Sequence, residues 1–139
     1  MQYLGVDPGG RRIGLAFGDD HTGIVSPLEV IPYDGVEKAA HAIALAAERR
    51  GAECIVLGLP VLADGSTGPA ARRTELLATK LRALGCVVAL QGEFLSTDEA
   101  RRRAREAGRS VDRPVDDLAA QVLLEEYLAL RTRKADAGE

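Results

Sequence analysis

The apolar positions at the start of the chain fall in short runs bounded by turn residues. Tyr3-Leu4-Gly5-Val6-Asp7 stops at Pro8-Gly9-Gly10, and Arg12-Ile13-Gly14-Leu15-Ala16-Phe17 follows, so this stretch predicts a β-hairpin. A third extended run, Gly23 to Ile31, contains Pro27, whose missing N–H assigns it to a bulge or a sheet edge. The period then changes. Val36, Ala39, Ala40, Ile43, Ala44 and Ala47 recur at helical spacing up to Gly51, a C-terminal stop. Glu53 to Leu59 is short, apolar and β-branched, the pattern of a buried strand. Leu62 to Gly68 reads as a flexible connector, and Pro69 opens a second helix with Leu76, Leu77, Leu81 and Leu84 as its stripe. Cys86 to Leu90 is another strand. Ser96-Thr97-Asp98-Glu99 fits a capping box and predicts a third helix reaching Gly108. Val115, Leu118, Ala119, Val122, Leu123, Tyr127 and Leu130 mark the last helix, with 132–139 expected as a frayed tail.

Three strands followed by alternating helices and strands imply an α/β fold. Its five-stranded mixed sheet is a three-strand antiparallel meander continued by parallel strands, with helices on both faces. At 139 residues the chain suits one domain, expected over 1–131. Hydrophobic residues at 46% against 28% charged exclude the signature of disorder. No run approaches the roughly 18 to 20 apolar residues of a membrane span, and the start lacks a basic and apolar leader. The expectation is a cytoplasmic protein with no membrane partner, a monomer or weak homodimer. Cys54 and Cys86 sit in apolar runs and read as inert core thiols, while His21 and His41 have no partner spacing for catalysis.

The net charge of −3 does not by itself point to nucleic acid, but its distribution is uneven. Six arginines, 101, 102, 103, 105, 109 and 113, against Glu106 and Asp112 make the stretch 101–113 net +4. That is the form of a phosphate-facing patch, and equally of a solvated helix face with Ala100, Ala104 and Ala107 turned inward.

Three acids lie at the ends of predicted elements, where ligands of open α/β sheets collect. Asp7 closes the first strand, Glu93 follows the last, and Asp116 opens the final helix, with Asp117 competing for that role. Converging carboxylates repel unless cations are bound, and hard oxygen donors favour Mg²⁺ or Mn²⁺ over zinc. Such ions would serve phosphodiester hydrolysis by aligning a water and stabilising the leaving alkoxide. Taken singly, each acid also fits a turn, a solvated strand end or a helix cap.

Four separated motifs narrow the choice: Gly5-Val6-Asp7-Pro8-Gly9-Gly10-Arg11-Arg12-Ile13-Gly14-Leu15-Ala16, Gly58-Leu59-Pro60 with Asp64-Gly65-Ser66, Glu93 with Leu95-Ser96-Thr97, and Asp116-Asp117-Leu118-Ala119-Ala120. Over nearly the whole chain they resemble the YqgF family, also called RuvX, pre-16S rRNA nucleases first described as Holliday-junction resolvase homologues. The resemblance implies a ribonuclease-H-like fold and an acidic site for Mg²⁺ or Mn²⁺ made by Asp7, Glu93 and Asp116, the last in preference to Asp117. It implies a nucleic-acid partner, structured or single-stranded RNA or branched DNA. Arg12, Arg101, Arg102, Arg105 and Phe94 are the candidate contacts. Asp19 matches a further recurrent acid and is assigned to a turn.

The sequence departs from the family where Asp-Glu-Arg is common, reading Gly92-Glu93-Phe94. The central Glu is kept while a neighbouring carboxylate and guanidinium are lost. Phe94 can stack on an unpaired base or fill a hydrophobic gap. Three functions follow: an endonuclease processing the 5′ side of pre-16S rRNA, a branched-DNA resolvase, and a nucleic-acid-binding protein with weakened catalysis. Gly5-Val6-Asp7-Pro8-Gly9 also resembles the phosphate loop of actin-like kinases, but those need two such domains and 139 residues cannot supply them.

Overall fold

A computed structural model describes residues 1–62, 64–95 and 117–137. Within them the chain runs β1 (Gln2–Pro8), β2 (Arg12–Asp19), β3 (Val25–Pro32), α1 (Val36–Arg50), β4 (Cys54–Leu62), α2 (Pro69–Ala83), β5 (Val88–Leu95) and α3 (Asp117–Ala137). The five strands form one sheet in the order β3-β2-β1-β4-β5, with the meander antiparallel and β4 and β5 parallel to β1. Both crossovers, through α1 and α2, lie on one face. α3 covers the other.

Alternation along the strands sorts large residues from small ones. Leu4, Val6, Ile13, Leu15, Ile55 and Leu57 pack with Ile43, Leu77 and Leu81 beneath α1 and α2. The opposite face is lower. Tyr3, Ala16, Cys54 and Val56 meet Ala120, Leu124 and Leu128 of α3. A Cβ on Gly5 would lie 2.9 Å from Leu124 Cβ and 3.1 Å from the Ala120 carbonyl oxygen, and one on Gly18 would lie 3.0 Å from Leu124 Cδ2. Glycine at these positions lets the helix approach the sheet closely.

The strands depart from expectation at their ends. β4 runs to Leu62 and β5 starts at Val88 and runs to Leu95, so Glu93 lies inside a strand rather than after it. The ladder continues because the two ends pair with each other, Gly58 with Gln91 through Leu62 with Leu95. Pro60 is tolerated in this inner strand because β1 has stopped pairing at Leu57, so no β1 partner needs its N–H. In β3 the register slips between Glu29 and Pro27 opposite Leu15 and Ala16, a bulge beside the proline as its chemistry requires.

The connector expected to be flexible is internally bonded. The Leu62 amide donates to the Ser66 carbonyl at 2.9 Å, Gly65 adopts φ 85°, and the Ser66 amide and hydroxyl both donate to Asp64. These bonds hold the Asp64 carboxyl below its ordinary range. The last helix continues to Ala137, past the expected end at 131. The predicted third helix, from Ser96 to Gly108, lies outside the described residues.

Candidate active site

Asp7 sits next to the end of β1, an inner strand, and is 2% exposed. Its place in the alternation puts it on the α3 face with Tyr3, whose ring meets Tyr127 edge-on at 5.9 Å, and with Gly5. The hairpin pairs Asp7 with Gly14. The turn that follows is braced from the far side of the sheet. The Arg73 guanidinium of α2 donates to the Gly9 carbonyl at 2.9 Å and lies 4.4 Å from the centre of the Tyr33 ring. The Tyr33 amide in turn donates to the Arg11 carbonyl at 2.8 Å. Burial pushes the Tyr33 hydroxyl above its ordinary pKa, and the Arg73 charge opposes that rise.

Glu93 reaches the same region from β5. Its Oε2 is shielded from solvent, and its Cδ and Oε2 each lie 2.9 Å from where a Cβ on Gly58 would stand. The same point is 3.2 Å from Leu123 Cδ2 of α3, so the Glu93 carboxylate lies over β4 on the α3 face. The β1–β4 ladder ends with Val6 paired to Leu57, the residues immediately before Asp7 and Gly58.

α3 completes the edge. Ala120 meets Gly5 and Tyr127 meets Tyr3, so the helix runs antiparallel to β1 and its first described residue, Asp117, stands one turn beyond Ala120 at the Asp7 end. Asp116 lies outside the described residues, as do Arg101, Arg102 and Arg105. Arg12 opens β2 and alternates with Gly14 and Ala16 on the α3 face. Phe94 pairs with Val61. Asp19 forms the expected turn, its Oδ1 accepting from the His21 amide at 2.7 Å. Of the three acids read from the sequence, the described structure brings two to one edge of one face. Among the described residues no cluster of three His, Cys, Asp or Glu side chains is present.

Two residues of this edge escaped the sequence reading. Arg73 carries no motif of its own, and only the contact between α2 and the β1–β2 turn reveals its bond. Gly58 belonged to a recognised motif, but its reason for being glycine depends on a residue 35 positions away.

A family model described as RuvX, Holliday junction resolvase, matches residues 1–130. The chain belongs to the RuvX family. It is 41% identical over 132 residues to an Anaeromyxobacter sp. protein named "Putative pre-16S rRNA nuclease", covering 92% of this chain and 96% of that one. A Chloroflexus aggregans relative of the same name is 35% identical, with 92% and 93% covered. Among solved structures, Thermus thermophilus RuvC in complex with a Holliday junction substrate superposes with a TM-score of 0.54 at 16% identity, covering 95% of this chain and 96% of that one. The fowlpox virus Holliday junction resolvase gives 0.51 at 12%, with 93% and 99% covered. At these identities the likeness is one of fold, and the RuvX chain has the mixed sheet of the ribonuclease-H-like class. No described helix is long and apolar enough to cross a membrane.

Proposed function

We propose that this RuvX protein is a divalent-metal-dependent endonuclease that hydrolyses phosphodiester bonds, trimming the 5′ side of pre-16S rRNA. The observation that carries the reading is the Glu93 carboxylate lying over Gly58, on the sheet face that also carries the buried Asp7. The donors suit the ion. Two acids stand on one face of the sheet, Asp7 being 2% exposed, and oxygen-only donors match Mg²⁺ or Mn²⁺. Asp7 and Glu93 would hold it, with Asp116 as the third ligand. A divalent ion, when bound, supplies an acidified water and a counter-charge for the leaving alkoxide.

The chain's own residues orient the reaction. Asp7 is fixed by an inner strand paired on both sides, and the hairpin turn beside it is tied to α2 through Arg73. Arg12 is assigned to phosphate contact, as are Arg101, Arg102 and Arg105, with Phe94 as a candidate for base stacking. The names of the curated relatives support RNA over branched DNA. The single domain is assigned to 1–131.

The experiment is cleavage of a pre-16S 5′ fragment beside a four-way DNA junction, with Mg²⁺, Mn²⁺ or EDTA. The expected result is metal-dependent cutting of the RNA, lost in Asp7→Asn. Cutting of the junction alone would replace the substrate, and RNA binding without turnover would make the protein a binder on a nuclease frame. Cleavage unchanged in Asp7→Asn would refute the site.

A further inference from the structure

β4 lies between β1 and β5, so the two acids come from strands that are not neighbours. Two strand spacings, about 10 Å, separate β5 from β1. For Glu93 to meet Asp7, its carboxylate has to pass over the backbone of β4, and any side chain on the α3 face of that strand would obstruct it. The residue at the crossing is Gly58.

Nothing in the backbone requires glycine there. Gly58 is absent from the glycines with positive φ, and it sits in a nine-residue inner strand otherwise built of Cys, Ile, Val, Leu and Pro. Glycine inside a strand forfeits packing and backbone entropy. What it supplies at this position is room. The space that a Cβ would occupy is within 2.9 Å of Glu93 Cδ and Oε2 and 3.2 Å from Leu123 Cδ2. Gly92, the neighbouring strand glycine, differs. Among the described residues a Cβ there would meet only Val61 Cγ2, at 3.8 Å, an ordinary contact.

We propose that Gly58 is a positioning residue: by leaving β4 bare at one point it lets the Glu93 carboxylate cross to Asp7, so that acids from β1 and β5 share one cation. This rests on the metal-dependent reading above and adds a specific route by which the second acid arrives. The methyl of Gly58→Ala would press on the end of the flexible Glu93 side chain and on Leu123, so the carboxylate is displaced while the strand keeps its pairing.

The test is equilibrium Mn²⁺ binding, read by calorimetry and by the electron paramagnetic resonance of the free ion, on wild type, Gly58→Ala, Gly92→Ala, Glu93→Gln and the double variant Gly58→Ala/Glu93→Gln. Displacing a residue that orients a ligand typically weakens metal affinity about 10- to 100-fold. The expected result is a loss of that size in Gly58→Ala, none in Gly92→Ala, and no further loss on adding Gly58→Ala to Glu93→Gln. A purely structural effect would weaken binding equally in both backgrounds, and that outcome overturns the proposal. So does wild-type affinity in Gly58→Ala. The failure of the underlying reading looks different: Glu93→Gln would then bind Mn²⁺ as wild type does, or wild type would not bind at all. If Gly58→Ala alone does not fold, Glu93→Asp draws the carboxylate back from the crossing. Gly58→Ala in that background should then fold and bind Mn²⁺ as Glu93→Asp does. A further loss of binding there refutes the idea.

Discussion

Replacing Arg73 by alanine isolates the brace beneath the Asp7 hairpin. Two interactions vanish together, the hydrogen bond to the Gly9 carbonyl at 2.9 Å and the stacking 4.4 Å from the Tyr33 ring centre. A hydrogen bond from a charged donor contributes about 1.5 kcal/mol at the low end suited to this half-buried site. The cation over the ring adds about 0.5 to 1 kcal/mol. The two share one guanidinium and are not fully additive, so the expected loss is about 2 kcal/mol. With a urea m-value of about 1.5 kcal/mol/M, the midpoint should fall by about 1.3 M. At about 4 °C per kcal/mol for a chain of this size, Tm should fall by about 8 °C. Arg73→Lys keeps the charge and one donor but loses the planar face, so it should recover about half. In a cycle with Tyr33→Leu the stacking portion should appear as coupling of about 0.5 kcal/mol or more. Because the Arg73 charge opposes the upward push of burial on the Tyr33 hydroxyl, its removal should send that hydroxyl higher still in a spectrophotometric titration. An unfolding free energy within about 0.5 kcal/mol of wild type, the range of an inert surface substitution, would refute the brace.

Gly5→Ala drives a methyl against Leu124 Cβ and the Ala120 carbonyl, so thermal unfolding should show a loss of about 1 to 3 kcal/mol, and a wild-type melt would contradict the close helix approach. Cys54 is 7% exposed and burial raises its thiol above the ordinary value, so it stays protonated at neutral pH. Peptide mapping after brief iodoacetamide treatment should find Cys54 unmodified in the folded protein and fully modified in urea.

The fold was legible because its signals are local. Short apolar runs, Pro69 at a helix start and Gly51 as a left-handed helix stop each act within a few residues, and the structure keeps all three. Strand ends were less legible, because β4 and β5 lengthen each other only once they are paired, which placed Glu93 inside β5. The connector after β4 looked loose by composition, and the bonds of Ser66 to Asp64 and Leu62 make it a closed turn. Asp7 and Glu93 were legible as acids near strand ends. The path of the Glu93 carboxylate over β4 was not, since it depends on strand order and on Gly58 in a third strand. Arg73 was invisible for the same reason: its partners, Gly9 and Tyr33, are 64 and 40 residues earlier in the chain.

The two faces of the sheet answer different demands. Beneath α1 and α2, leucine, isoleucine and valine fill the space. Beneath α3, Gly5, Gly18 and Gly58 forgo side chains on three different strands. At about 0.5 to 1 kcal/mol each relative to alanine, strand glycines of this kind cost the fold about 1.5 to 3 kcal/mol together. Stability alone gives no reason to place all three on one face. Geometry does. Gly5 and Gly18 set the height of α3 over the sheet, and hence where its first turn stands relative to Asp7. Gly58 opens the path for Glu93. A methyl at any of the three would raise the helix or push back the carboxylate, so the small residues of this face and the acids at its edge belong to a single arrangement.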